Sequence, residues 1–368
     1  MNTARNIWRA GWRLGVCGLL MFWILHAIFL NEGRQAWERQ GQNWETLSKL
    51  EQWGVAWSLG PRELWHALVL VQPTGLLLSI FLWGLTIVIG VLRWRMVMRV
   101  QGLELPLGRA MEISFIAHFF NTFLLGSTGG DLLKAYYAAR ETHHKKTEAV
   151  VVVFVDRLLG LLAMLLFAAA MMLPNLPLLF DHARLAAVAW LILGMLAACS
   201  GLLGLSFWGG LSRRWPQARA WLRRLPKGDL LERCIDACRR FGRERKFFFE
   251  VMALSMVLNT VCVLQIMALA WGMKLPIPPL ALFVIVPIII CISALPITPS
   301  GLGVRENLYV IMLAAPSIAV PGTQALSLSL LAYACSLFWS AIGGLFYIGL
   351  KERRQLDEVT HADAVGAE

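Results

Sequence analysis

The stretch Thr298-Pro-Ser-Gly-Leu-Gly-Val-Arg-Glu306 interrupts apolar sequence that occupies residues 280–297 before it and 308–315 after it. The proline and the two glycines within it stop a helix. Inside a membrane, non-helical backbone is tolerated only where it is buried in protein or faces water. Ionisable residues at that depth are functional candidates. The stretch therefore predicts a broken helix whose tip carries an Arg-Glu pair.

A second polar break resembles the first. The stretch Asn121-Thr-Phe-Leu-Leu-Gly-Ser-Thr-Gly-Gly-Asp131 also lies between apolar segments, and Lys134 follows three residues later. We predict that the two breaks face each other and form the working site.

Composition places both breaks in an all-α polytopic integral membrane protein. Of the 368 residues, 58% are hydrophobic and only 15% are charged, and several apolar runs reach spanning length. The net charge is +11, and 12 of the 34 Lys and Arg lie between Arg213 and Lys246. In a membrane protein such a cluster marks a cytoplasmic loop, and it can also bind anionic lipid headgroups. Nucleic-acid binding is the less favoured interpretation.

The positive-inside rule fixes the predicted topology. If the segment before each break crossed the membrane completely, the basic 209–246 loop would lie outside. If each break is instead the tip of a re-entrant hairpin, every strongly basic segment lies inside. We therefore predict about six full spans and two opposed re-entrant helical hairpins, which suggests an inverted repeat. The predicted spans are 14–30, 73–92, 149–173, 183–208, 247–273 and 325–350.

The predicted organisation is a single transmembrane domain over residues 1–356, followed by a disordered tail over 357–368. Both termini are expected in the cytoplasm of a bacterial-type inner (plasma) membrane. Residues 31–72 form an extracytoplasmic segment with five tryptophans. Helices on the membrane surface and an ordinary loop with some helix are equally good interpretations of that segment.

The first break offers a phosphate-binding tip. Gly129 and Gly130 let backbone amides converge, and a helix that begins near Asp131 exposes free N–H groups. Asp131 would cap its own helix, and Lys134 would project near the tip. The alternative is a tight, packed turn with no ligand.

Arg305 lies at the helix start after the second break, where its planar fork would suit a phosphate. The alternative is a buried ion pair with Glu306 that only locks the hairpin. Asp156 and Arg157 lie inside a predicted span, where a charge must pair or reach water. We expect them to pair with the first hairpin, and the alternative is that Arg157 extends to the inner headgroups.

No other cluster predicts chemistry. The seven cysteines show no disulfide or metal-ligand pattern, and His118 is more consistent with packing than with ligation. No nucleophile-base set or paired catalytic carboxylates are evident. We therefore predict no catalytic residues, no metal and no cofactor.

Three groups of residues resemble a known family. They are Asn121 with Gly129-Gly130-Asp131, Asp156-Arg157-Leu-Leu-Gly160, and the second break extended back to Pro296, and Arg93-Trp94 precedes them all. They resemble the lysylphosphatidylglycerol synthase transmembrane-region family, also called flippase-like domain proteins. In the bifunctional synthases this region is linked to moving aminoacylated phosphatidylglycerol across the bilayer. The aminoacyl-transferring domain is a separate soluble module there, so the resemblance implies no synthase activity here.

Two positions depart from the family's pattern. Ser127-Thr128 precedes Gly129 where a Pro-Gly type turn is more usual, and Lys134 stands where an Arg is usual. Both departures keep the turn or the charge.

The predicted function is to bind and translocate a phospholipid, or another lipid with a polar headgroup, without covalent chemistry. The alternatives are a membrane-embedded glycosyl- or aminoacyl-transferase acting on a lipid-linked substrate, and a non-catalytic accessory subunit. Arg305, Lys134 and Arg157 would hold the headgroup phosphate, and three carboxylates would balance them. The predicted binding residues are Asn121, Gly129, Gly130, Asp131, Lys134, Asp156, Arg157, Pro296, Thr298, Pro299, Gly301, Gly303, Arg305 and Glu306.

Overall fold

A computed structural model describes isolated positions between residues 22 and 34, and then residues 36–123, 129–141, 146–176, 183–207, 241, 244–295, 301, 303–315 and 318–365. The regular structure in these ranges is helical, which confirms the all-α class. The helices are α1 (Lys49–Leu70), α2 (Pro73–Val100), α3 (Leu107–Phe123), α4 (Gly129–Glu141), α5 (Lys146–Met172), α6 (Ala183–Phe207), α7 (Arg245–Gly272), α8 (Pro279–Ser293), α9 (Val304–Leu313) and α10 (Gly322–Val365).

Five of the described helices are long and apolar enough to cross a membrane: α2, α5, α6, α7 and α10. They match five of the six predicted spans, so a polytopic membrane protein is confirmed. The sixth predicted span, residues 14–30, lies almost wholly outside the described residues. Most of the basic 209–246 loop also lies outside them.

The first hairpin is an antiparallel pair made of α3 and α4. At its base, Arg109 on α3 donates from Nη2 to Glu141 Oε1 on α4, at 2.8 Å. At its tip, Gly130 N on α4 donates to Asn121 Oδ1 on α3, also at 2.8 Å. The 17 and 13 residues of these helices correspond to lengths of about 25 and 20 Å, less than the roughly 30 Å of a hydrocarbon core. Neither helix therefore crosses the membrane alone.

The second hairpin consists of α8 and α9, which pack on each other. They contain 15 and 10 residues, so they are also too short to cross alone. Between them Gly301 and Gly303 have φ angles of +69° and +83°, which glycine alone adopts without strain. A side chain at either position would therefore strain the break.

The helix contacts show an internal repeat in which α1–α5 correspond, in order, to α6–α10. The contact of α3 with α10 corresponds to that of α8 with α5. The contact of α4 with α5 corresponds to that of α9 with α10, and the contact of α2 with α3 corresponds to that of α7 with α8. The centre of the repeat is the pair of α2 and α7. Among the described residues, three candidate spans (α2, α5 and α6) separate the start of α2 from the start of α7, and halves of opposite orientation require such an odd number.

The central pair is antiparallel, as an inverted repeat requires. Gln72 N, just before α2, donates to Gly272 O at the end of α7 at 2.9 Å. A Cβ on Gly75 would lie only 2.7 Å from the Cα of Gly272, so two glycines allow the backbones to touch. The far end of α2 lies beside the first hairpin, where Lys134 of α4 contacts the ring of Trp94.

Two predicted boundaries differ from the structure. Helix α2 continues to Val100, eight residues beyond the predicted end at Leu92, because its Arg and Trp residues are good enough helix formers to extend it. Helix α10 continues to Val365, where residues 357–368 were predicted to be disordered. The tail sequence is polar but has no proline, and its only glycine is Gly366, so nothing local ends the helix earlier. The limits of the predicted domain remain a prediction.

Helix α1 accounts for most of the predicted extracytoplasmic segment. Ser48 and Glu51 form a reciprocal capping box at its start, with Ser48 N donating to Glu51 Oε2 at 2.8 Å. Helix α1 packs against α10. The predicted helix in residues 31–72 is confirmed, and its place on the membrane surface remains a prediction.

Candidate functional site

Five ionisable side chains meet beside the first hairpin, and we call them the first-hairpin cluster: Arg93, Asp131, Lys134, Asp156 and Arg157. They come from three helices, α2, α4 and α5. Asp156 lies within electrostatic reach of all three cations. The cluster therefore behaves as one electrostatic unit.

Arg93 and Asp156 form the buried base of the cluster. Arg93 Nε donates to Asp156 Oδ1 at 2.9 Å and Nη2 donates to Oδ2 at 3.2 Å, a two-point contact. Arg93 Nη1 also donates to Ser255 Oγ on α7, at 3.3 Å. Only 11% and 6% of the two charged side chains are exposed. At this burial, removing either partner would leave an uncompensated charge.

Gly160 makes room for this pair. It lies one turn after Asp156 on α5, on the same face of the helix. A Cβ on Gly160 would lie 2.8 Å from Arg93 Nη1. The Asp156-Arg157-Leu-Leu-Gly160 motif thus supplies both the carboxylate and the space that the guanidinium needs.

Asp156 and Arg157 were both predicted to pair with the first hairpin; Arg157 does, whereas Asp156 forms its ion pair with Arg93 of α2. Arg157 Nη2 donates to Asp131 Oδ1 at 2.6 Å, and Nε pairs with Asp131 Oδ2. The Arg157 side chain is 50% exposed, whereas Asp131 is 14% exposed. One side of the Arg157 guanidinium therefore contacts the hairpin, and the other side is exposed.

Lys134 is the least satisfied cation of the cluster. Its Nζ lies 4.2 Å from the ring centroid of Trp94, a cation–π contact. It lies within electrostatic reach of Asp156 and Asp131. Among the described residues it has neither a hydrogen-bond acceptor nor a carboxylate within salt-bridge distance. An ammonium group has three N–H donors, so Lys134 keeps donors for a ligand.

The cluster has a positive excess. Three cations and two carboxylates give a formal charge of 3 − 2 = +1. A charge left over in an apolar surrounding requires a counter-charge or water. A monoanionic group would complete the balance.

The second hairpin holds a neutral set of residues. Arg305 Nη2 pairs with Glu306 Oε1, and Arg305 Nε donates to Ser329 Oγ on α10 at 3.2 Å. The guanidinium carbon lies 4.4 Å from the ring centroid of Tyr333. Glu306 is 3% exposed and also accepts a hydrogen bond from Gly303 N, at 2.6 Å. Arg305 thus contacts a hydrogen-bond acceptor, a carboxylate and an aromatic ring. These contacts favour the interpretation that Arg305 locks the hairpin.

Asn121 and the glycines of the first tip have structural roles. Asn121 caps the start of α4 through its bond to Gly130, so its side-chain oxygen is already engaged. A Cβ on Gly130 would overlap the carbonyl oxygen of Ala117. Gly129 begins α4, two residues earlier than the predicted helix start.

The two tips are joined through α3 and α10. His118 Nε2 lies 3.3 Å from the carbonyl oxygen of Ser336, and His118 is within electrostatic reach of Arg157. Phe119 belongs to the same buried cluster as Tyr333. Among the described residues, however, neither Arg157 nor Arg305 forms a hydrogen bond or an ion pair with a side chain of the opposite hairpin. The prediction that the tips face each other remains a prediction.

Four of the predicted residues lie together in the first-hairpin cluster: Asp131, Lys134, Asp156 and Arg157. Two others, Arg305 and Glu306, pair in the second hairpin. Sequence reasoning gave Arg93 and Trp94 no role beyond the family resemblance, and it missed Ser255, Ser329 and Tyr333. The family motif that includes Arg93-Trp94 was the available signal for the first two. Pro296, Thr298 and Pro299 lie outside the described residues. No group of three or more metal-ligating side chains occurs in the described part of the chain.

Comparison with known proteins agrees with the family resemblance. The chain matches the family described as "Lysylphosphatidylglycerol synthase TM region" over residues 50–344. It is also 26% identical, over 297 residues, to a UPF0104 membrane protein of Methanothermobacter thermautotrophicus, which covers 74% of this chain and 83% of that protein. The matched family region contains all five candidate spans and both hairpins, apart from the last residues of α10. This chain is therefore a member of the lysylphosphatidylglycerol synthase TM region family.

Proposed function

We propose that the protein binds the phosphate of a phospholipid headgroup at the first-hairpin cluster and moves the lipid across the membrane without covalent chemistry. The observation that carries the proposal is the +1 excess of the cluster, held by Lys134 and by the half-exposed Arg157. A phosphodiester carries one negative charge, so it would balance the cluster.

The donors suit this ligand. Arg157 keeps Nε and Nη2 on the two oxygens of Asp131, and its Nη1 can donate to a phosphate. Lys134 adds a point charge with unused N–H donors. Arg93 is committed to Asp156 and Ser255, so it would hold the cluster in place and not contact the lipid.

The inverted repeat supports translocation over simple binding. Transporters with inverted repeats place broken helices so that two related halves can exchange conformations around one site. Here two short hairpins of opposite orientation flank the central pair of α2 and α7. Lipid movement would follow from the first hairpin opening to one side and the second to the other.

Removing the charge of Lys134 provides the binding test. We expect Lys134→Gln to weaken the binding of fluorescent phosphatidylglycerol to the detergent-purified protein by about tenfold or more, because hydrogen bonds to charged groups contribute roughly 1.5–3 kcal/mol. Lys134→Arg should retain most of the affinity, since it keeps a cation at that position. Binding is measured by titration with the lipid.

The matched control is Lys49→Gln, which removes the same charge from an exposed side chain at the start of α1. It should bind lipid like the wild type. Equal loss in the two Gln variants would assign the effect to overall charge and would contradict a site at Lys134.

A further inference from the structure

A cleft lies where α2 ends and the chain turns back to start α3, and it is separate from the first-hairpin cluster. Its volume is about 520 Å³, within the range of small-molecule sites. The residues that line it are Arg95, Met98, Arg99, Leu103, Glu104, Leu105 and Pro106. We call it the α2-end cleft.

Two arginines one helical turn apart provide the charge of the cleft. Arg95 Nε donates to the carbonyl oxygen of Leu105 at 3.1 Å, which fixes the side chain and leaves its two terminal nitrogens unbonded among the described residues. Arg99 is exposed and has no acceptor in that part of the chain. With Glu104 on the rim, the formal charge is 2 − 1 = +1.

The floor of the cleft is apolar. Met98, Leu103 and Leu105 are 1%, 3% and 6% exposed. A turn at Gly102, with φ of +66°, brings the chain back so that these side chains pack beneath the arginines. An arginine that only extends from a spanning helix to the headgroups needs no such floor and no fixing bond to a loop carbonyl.

We propose that the α2-end cleft holds the phosphodiester headgroup of a phospholipid as a loading position next to the first hairpin. A charge of +1 matches one phosphodiester, and the arginine forks can bind its oxygens at two points. The apolar floor at the end of a spanning helix favours a lipid over a soluble phosphate, because it can cover the glycerol and the first part of the acyl chains. The loading role rests on the proposed function, whereas the headgroup site itself does not.

The location connects the two positions. Arg93 belongs to the first-hairpin cluster, and Arg95 lies only two residues further along α2. The same helix therefore presents one site to α5 and the other to the turn before α3. The cleft also adjoins the start of the first hairpin, because Leu105 and Pro106 directly precede α3.

The test counts lipids retained on the full chain by native mass spectrometry in detergent, as a function of phosphatidylglycerol concentration. We expect Arg95→Gln/Arg99→Gln to lose one of the tightly bound lipids, with an apparent affinity at least about tenfold weaker at that position. The single variant Arg99→Gln changes only an exposed, unbonded side chain, so it should fold normally and show a smaller loss. The control Arg34→Gln/Arg62→Gln removes the same charge from α1 and the exposed residues before it and should bind like the wild type.

Competition with soluble glycerophosphoglycerol distinguishes a site for a lipid headgroup from a site for a soluble phosphodiester. The soluble compound should displace the lipid from the cleft poorly, and effective displacement would overturn the assignment to a lipid. Unchanged lipid retention in the double variant would overturn the site itself. Lys134→Gln should lose a different lipid and leave the cleft occupied, so failure at the hairpin and failure at the cleft give different results.

Discussion

The variant Gly130→Ala is expected to lose most of its folded protein, although alanine is the better helix former. Alanine in place of glycine normally stabilises a helix by roughly 0.5–1 kcal/mol. At Gly130 the added Cβ would overlap the carbonyl oxygen of Ala117 and would lie 2.8 Å from Asn121 Cγ. Because the obstacle is backbone, α3 and α4 would have to separate at the tip, at a cost of about 3 kcal/mol or more.

The control for this variant lies in the same hairpin. Gly108 is in the first turn of α3, and a Cβ there would have no neighbour within 4 Å. Gly108→Ala should match or exceed the wild type in folded yield and in melting temperature, both measured on detergent-purified protein by size-exclusion chromatography and thermal unfolding. If Gly130→Ala is as stable as Gly108→Ala, the tip is not closely packed and the hairpin geometry is wrong.

The variant Glu306→Ala is expected to destabilise the second hairpin by about 3–5 kcal/mol, because it leaves the buried Arg305 without its carboxylate. It also removes the acceptor of Gly303 N, which Glu306 Oε2 holds at 2.6 Å. Arg305→Ala should be damaging in the same way, since Glu306 is only 3% exposed. The double variant should recover part of the lost stability, because neither charge is then stranded.

The same four proteins decide whether Arg305 also binds lipid. Thermal stability and phosphatidylglycerol binding are measured separately, and Arg305→Lys is added because it keeps the charge without the planar fork. If Arg305 also binds the headgroup, the order of lipid binding is wild type, then Lys, then Ala. If the double variant recovers both stability and lipid binding, Arg305 is a structural ion-pair partner and has no role at the phosphate.

The class of the fold was predictable because membrane helices depend on local properties. Length and hydropathy identified α2, α5, α6, α7 and α10, and proline and glycine identified the breaks. The antiparallel first hairpin followed from the charge of its flanks, which is also a local property.

The partners of the charges were predictable only in part. Arg157 was predicted to pair with the first hairpin, and the structure shows that its partner there is Asp131. The partners of Arg93 were not predicted, because an Arg-Trp pair at the end of a span is equally typical of an interfacial anchor. Only the packing of α2 on α5 and α7 shows that this arginine is buried against Asp156 and Ser255.

The partners of Arg305 depend in the same way on tertiary packing. Ser329 and Tyr333 are ordinary residues of an apolar span, and nothing in their spacing marks them as partners of a charge. Their position follows from how α10 packs on α9. The internal repeat was only suggested by the two breaks, since the sequence similarity between the halves is weak and the repeat lies in the packing.

The central claim is that the first-hairpin cluster moves a phospholipid headgroup from one leaflet to the other. The most direct measurement is leaflet exchange in vesicles that contain headgroup-labelled phosphatidylglycerol, with an impermeant reductant quenching the outer leaflet. Vesicles with the wild type or Lys49→Gln should lose fluorescence beyond the outer-leaflet fraction. Vesicles with Lys134→Gln and protein-free vesicles should stop at that fraction. Exchange by Lys134→Gln at the wild-type rate, or no exchange by the wild type, would contradict the claim.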